Sequence, residues 1–109
     1  MNLPTEIFGN VIVVHTPDEV GADQADSLER FVTTLERNQV VLDLANTELL
    51  DSAGLAALLA TQDNLRELGG DMKIATANHV NRKILEITRL DQSLEVFESV
   101  LDAVKSFSA

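Results

Sequence analysis

The chain has 109 residues, 45% of them hydrophobic, no cysteine and a formal net charge of −10. That length and apolar content suit a single domain, residues 1–109, whose core needs no covalent staple, and they exclude a disordered polyelectrolyte. The missing cysteines exclude disulfides, thiol chemistry and cysteine zinc sites, while the acidic field and the lack of Trp and Tyr speak against nucleic acid and anionic lipid as partners.

The N-terminus, MNLPTEIFGN, has neither the basic n-region nor the apolar h-region of a signal peptide. No apolar run nears the ~20 residues that cross a bilayer, so the expectation is a cytoplasmic protein with no membrane insertion. Glu6-Ile7-Phe8, Gly9-Asn10 and Val11-Ile12-Val13-Val14 read as a hairpin with a tight turn, and Pro17 ends its second strand. Leu28, Phe31, Val32 and Leu35 fall at i, i+3, i+4 and i+7, which predicts an amphipathic helix over roughly 23–37. Val40-Val41-Leu42-Asp43-Leu44 is nearly continuous apolar sequence, as in a buried strand of the parallel type; whether helices cover one sheet face or both is not set by spacing.

Residues 52–68 read as a helix, with Leu55, Leu58, Leu59, Leu65 and Leu68 mostly on one face. Gly69-Gly70 stops it. Met72-Lys73-Ile74-Ala75 is the next strand, Val80, Ile84 and Ile87 mark a short helix, Ser93 to Phe97 a last strand, and Val100, Leu101, Val104 and Phe107 a closing helix. After the hairpin the order is an alternation of strands and helices. It implies an α/β fold: βα units on a mostly parallel sheet packed by helices.

The stretch LLDSAGLAALL, residues 49–59, breaks two apolar runs with Asp51-Ser52-Ala53-Gly54. The plain reading of Ser52 is an N-cap, its oxygen accepting a free backbone N–H, with Asp51 as the other candidate for that cap. Gly54 reads as a small residue in a crowded first turn. The functional reading uses the same place: a helix start offers unpaired N–H groups and the positive end of the dipole, where a phosphate on Ser52 is tolerated.

Asp43, at a strand's end, reads as a carboxylate accepting N–H bonds from the next loop. A phosphorylatable receiver aspartate is rejected, because His15-Thr16-Pro17 stands where a receiver needs an acidic pair and no Lys lies between Lys83 and Lys105. Asp18 and Glu19 read as a solvated turn before the first helix, or as part of a partner-binding surface. His15 and His79 have no ligand spacing, so no metal is expected. No G-x-S-x-G elbow, P-loop or G-x-G-x-x-G occurs, and Ser52 has no His/Asp partners in view. No enzymatic activity and no cofactor are expected.

The run VVLDLANTELLDSAGLAALLATQDNLRELGGDMKIA, followed by HVNRKILEITRLDQSLEVF, resembles the STAS domain of stand-alone anti-sigma-factor antagonists. The shared features are Leu42-Asp43-Leu44, the Asp51-Ser52-Ala53-Gly54-Leu55 box and the Gly69-Gly70 stop, and the likeness spans roughly residues 6–107. It implies a STAS-type fold. It also implies that Ser52 is phosphorylated by a cognate anti-sigma factor, an ATP-dependent serine kinase, and that the unphosphorylated chain binds that kinase and frees a sigma factor. A serine phosphatase would reset the cycle. Asp18, Asp51, Ser52, Gly54 and Leu55 would form the partner-binding set. The family commonly has Gly-x-Leu/Ile-Asp after its second strand. Here the run is Thr16-Pro17-Asp18-Glu19-Val20, with Asp18 as the counterpart of that Asp. Ala53 replaces a second serine and leaves Ser52 the only hydroxyl in the box. The alternative is a non-catalytic STAS scaffold or accessory subunit, in a stress-signalling assembly or a lipid-transporter complex.

Overall fold

The computed structural model describes residues 1–108. The opening hairpin is as expected: β1 (Thr5–Phe8) pairs antiparallel with β2 (Val11–His15) across Gly9-Asn10. There follow β3 (Glu19–Val20), α1 (Ala25–Thr33), β4 (Gln39–Asp43), β5 (Leu49–Leu50) and α2 (Ser52–Glu67). The chain closes with β6 (Asp71–Ala75), α3 (His79–Ile87), a 3-10 turn at Leu90–Gln92, β7 (Val96–Phe97) and α4 (Val100–Ser106). The main sheet has the order β1-β2-β4-β6-β7, and every pairing except β1 with β2 is parallel.

Burial is nearly continuous along the central strands, and successive side chains enter two separate clusters, so both sheet faces are covered. Val40 and Leu42 join Ile12, Val14, Met72 and Ile74 on one face, where Leu28 and Val32 of α1, Leu58 and Leu65 of α2, and Leu85 of α3 pack down. Val41 joins Val11, Val13 and Ala75 on the other, under Ala103, Val104 and Phe107 of the α4 region. Helices therefore flank both faces, three against one. Lys73 points to the α4 side and is buried. Its ammonium lies 4.3 Å from the Phe107 ring centroid, donates to Ser106 Oγ at 2.8 Å and stands 3.6 Å from Glu95 Oε2. Ring faces and oxygens thus replace its lost water.

Four expectations need correction. The first helix is shorter than 23–37, because its end is Thr33-Thr34: both hydroxyls turn back onto carbonyls, of Glu29 and Arg30, at 2.8 Å, and such side chains compete with the helical ladder. The last strand is Val96–Phe97 rather than Ser93 to Phe97. Ser93 and Leu94 instead donate their N–H groups to Leu90 O, closing the 3-10 turn. Glu19 is not in a loop but in β3, which pairs parallel with β5 as a separate two-stranded sheet. Finally, α3 forms where Val80, Ile84 and Ile87 mark it, yet Val80 is 62% and Ile87 70% exposed. The inward positions go to Leu85 and Asn81, whose amide donates to the carbonyls of Leu44 and Thr47. Those two hydrogen bonds and Leu85 set the helix's rotation against its apolar stripe.

The stop of α2 is the expected glycine cap. Gly69 adopts φ +84°, and Gly70 N–H reaches Leu65 O at 2.8 Å while Gly69 N–H reaches Arg66 O at 3.1 Å. This bond pattern ends a helix through a left-handed residue, the conformation glycine takes without a Cβ clash. Among the described residues no helix is long and apolar enough to cross a membrane.

Candidate functional site

The site grows from the two-stranded sheet. β3 and β5 bring the loop after β2 beside the segment after β4, with Val20 level with Leu50. Directly after β5 the chain turns into α2. Its cap is Asp51, in extended backbone conformation, with Oδ1 accepting the Gly54 N–H at 2.9 Å. The main chain of Asp51 accepts the first helical bond, from Leu55 N–H at 2.9 Å. Its second carboxylate oxygen accepts the Ala22 N–H at 3.3 Å, which ties the helix start to the exit of β3.

Ser52 is therefore the first residue of the helix and not its cap. This corrects the plain reading: with Asp51 capping, the serine side chain has no structural duty. Ser52 is exposed, and among the described residues nothing hydrogen-bonds its hydroxyl. Gly54 explains itself by approach. A Cβ there would sit 1.9 Å from Val20 O and 2.8 Å from Val20 C, so only glycine lets α2 cross β3 at this distance. Leu55 is buried in the core under the same turn.

The five residues of the expected set thus divide. Asp51 and Ser52 are exposed at the exit of the small sheet. Asp18 is exposed at its start, where its carbonyl accepts the N–H groups of Glu48 and Leu49 at 2.7 and 3.1 Å. Gly54 and Leu55 lie inside and support the platform rather than offer exposed surface. Around it Asp18, Glu19, Glu48 and Asp51 are all exposed, and among the described residues none of the four is ion-paired. The platform is an exposed hydroxyl next to Asp51, on a small sheet whose strands and loops carry the acidic side chains of Asp18, Glu19 and Glu48.

A buried polar cluster beneath these loops is not visible as a pattern in the sequence. Thr16 and Thr47 are buried and share a 2.7 Å hydrogen bond. Thr47 Oγ1 also donates to Pro17 O at 2.6 Å, and Asn81 holds the Thr47 carbonyl at 3.0 Å. Single loop threonines carry no period. The one hint is that Thr16 precedes Pro17, a position pushed to extended backbone. Asp43 behaves as expected, its Oδ1 accepting the Ala45 N–H at 3.0 Å, while its Oδ2 faces His15 Nδ1 at 2.8 Å.

With this geometry in place, the chain's likeness to known proteins can be stated. The STAS domain family model matches residues 2–103. An anti-sigma F factor antagonist from Paenibacillus polymyxa is 23% identical over 90 residues, 83% of this chain and 74% of that protein. The crystal structure of an anti-sigma factor antagonist from Mycobacterium paratuberculosis superposes with a TM-score of 0.86 at 24% identity, covering 99% of this chain and 94% of that one. The Bacillus cell fate determinant SpoIIAA in its phosphorylated form superposes with a TM-score of 0.70 at 13% identity, covering 97% of this chain and 99% of that one.

Proposed function

The chain belongs to the STAS domain family, and on that premise we propose that it is an anti-sigma-factor antagonist whose binding is switched by phosphate on Ser52. Its partner is an anti-sigma factor that is itself an ATP-dependent serine kinase. The unphosphorylated chain binds that kinase and releases a sigma factor, and a serine phosphatase restores the hydroxyl. The observation that carries this reading is the state of Ser52: exposed at a helix start and relieved of capping by Asp51. The names of the P. polymyxa and M. paratuberculosis relatives support it. So does the occurrence of this fold in a phosphorylated form.

In the transfer step the Ser52 oxygen forms a bond to the γ-phosphorus of ATP, ADP leaves, and the hydroxyl proton passes to a base on the kinase. The chain contributes the acceptor and the acidic side chains of Asp18, Glu19, Glu48 and Asp51, which fit a basic surface on the partner. Capture from the source organism with nucleotide present identifies the partner. Incubation with it and ATP-Mg, followed by mass spectrometry, maps the site. The expected result is phosphate on Ser52 and none when the chain is alone with ATP. Modification only at another serine, or none by a kinase active on a second substrate, contradicts the reading. Recovery of a transporter ATPase in place of a kinase moves the assignment to an accessory STAS subunit.

A further inference from the structure

A second cluster of ionisable groups lies away from Ser52, at the end of β2. His15 is held at both ring nitrogens: Nδ1 lies 2.8 Å from Asp43 Oδ2 on β4, and Nε2 lies 2.6 Å from Glu6 Oε1 on β1. A neutral imidazole has one N–H and one lone pair, so it donates to only one of two carboxylates and turns a lone pair toward the other. Only the imidazolium donates at both ends. The groups whose charge bears on the ring are Glu6 from β1 and Asp43 from β4.

The bridge matters because of where β1 stands. It is an edge strand, exposed at all four residues and hydrogen-bonded in the sheet to β2 alone. Among the described residues, the Glu6–His15 contact is the one side-chain hydrogen bond or ion pair β1 makes. The two ends are unequal. The Asp43 side chain is 14% exposed and steadied by the Ala45 N–H, whereas that of Glu6 is 56% exposed and is readily rehydrated.

We propose that His15 is a pH-sensitive latch on the edge strand: closed while its imidazolium bridges Glu6 and Asp43, and released at the Glu6 end when the ring gives up its proton. Partial burial pulls the ring's pKa down, but the hydrogen bonds to Glu6 and Asp43 and their two charges outweigh it, leaving the pKa above the ordinary 6.5. For a group raised in the folded state, the stabilisation is complete below the unfolded value. It is lost as pH climbs through the raised one.

The test is an NMR titration of the His15 ring between about pH 5.5 and 9, above the ordinary carboxylate range, on wild type and Glu6→Gln. Amide-exchange protection factors are measured alongside, so that the base-catalysed intrinsic rate is removed. The expected result is a wild-type midpoint above 6.5, with protection of the amides pairing β1 to β2 falling several-fold across it. Glu6→Gln should lower the midpoint and flatten that fall, while amides pairing β4 to β6 behave alike in both proteins. Glu6 is exposed, so the variant folds. A midpoint at or below 6.5, a midpoint indifferent to Glu6→Gln, or β1 protection that ignores pH across the midpoint overturns the proposal.

Discussion

A phosphate on Ser52 would sit one residue inside the helix that Asp51 caps. Asp51 takes the Gly54 N–H, and the start of α2 leaves the N–H groups of Ser52 and Ala53 without helical partners. A phosphate's ~1.5 to 2 negative charges meet those donors and the helix dipole, a gain of ~0.3–1 kcal/mol. The adjacent Asp51 carboxylate opposes it. The division of labour is testable by removing the cap: Asp51→Ala should cost ~0.5–2 kcal/mol in urea denaturation, and no loss would mean that Ser52 takes over the cap. Gly54→Ala should cost more, ~1–3 kcal/mol or above, since its Cβ meets the Val20 carbonyl at 1.9 Å. A melt unchanged by that substitution would contradict the crossing of α2 and β3. The sequence makes a helix start legible in Asp51-Ser52-Ala53-Gly54. It does not say which residue caps, because Asp and Ser cap equally well and the choice is made by Ala22 and Gly54 in space.

At the scale of elements, α2 joins the site to the core. Leu58 is fully buried, about one turn beyond the box, so Leu58→Ala should lower stability by ~2–5 kcal/mol in denaturant unfolding; a loss under ~0.5 kcal/mol, the range of surface changes, would mean that this face of α2 does not meet the sheet. The 3.6 periodicity found α1, α2 and α3 and the buried run found β4, because each is long enough to carry a pattern. β3 and β5 are two residues each, too short for alternation to register. They are nonetheless what sets the start of α2 beside Ala22, at the exit of β3. The rotation of α3 was illegible for a different reason: Asn81, polar in sequence, takes an inward place through its bonds to Leu44 and Thr47, and Val80 and Ile87 face solvent instead.

For the whole molecule, a sheet covered on both faces and a near-balanced charge effect at the start of α2 leave phosphorylation little reason to rearrange the fold. The proposed switch would then act at the interface, where a dianion in a surface shaped for a hydroxyl would cost several kcal/mol. Each ~1.4 kcal/mol weakens binding tenfold. Calorimetric titration of the captured kinase with wild type, Ser52→Asp and stoichiometrically phosphorylated chain, with thermal melts of the same proteins, tests this most directly. The expected result is a loss of about two orders of magnitude or more in affinity for the phosphorylated chain, a clear loss for Ser52→Asp, and melting temperatures nearly unchanged. Phosphoserine at position 52 that leaves binding untouched would contradict the switch.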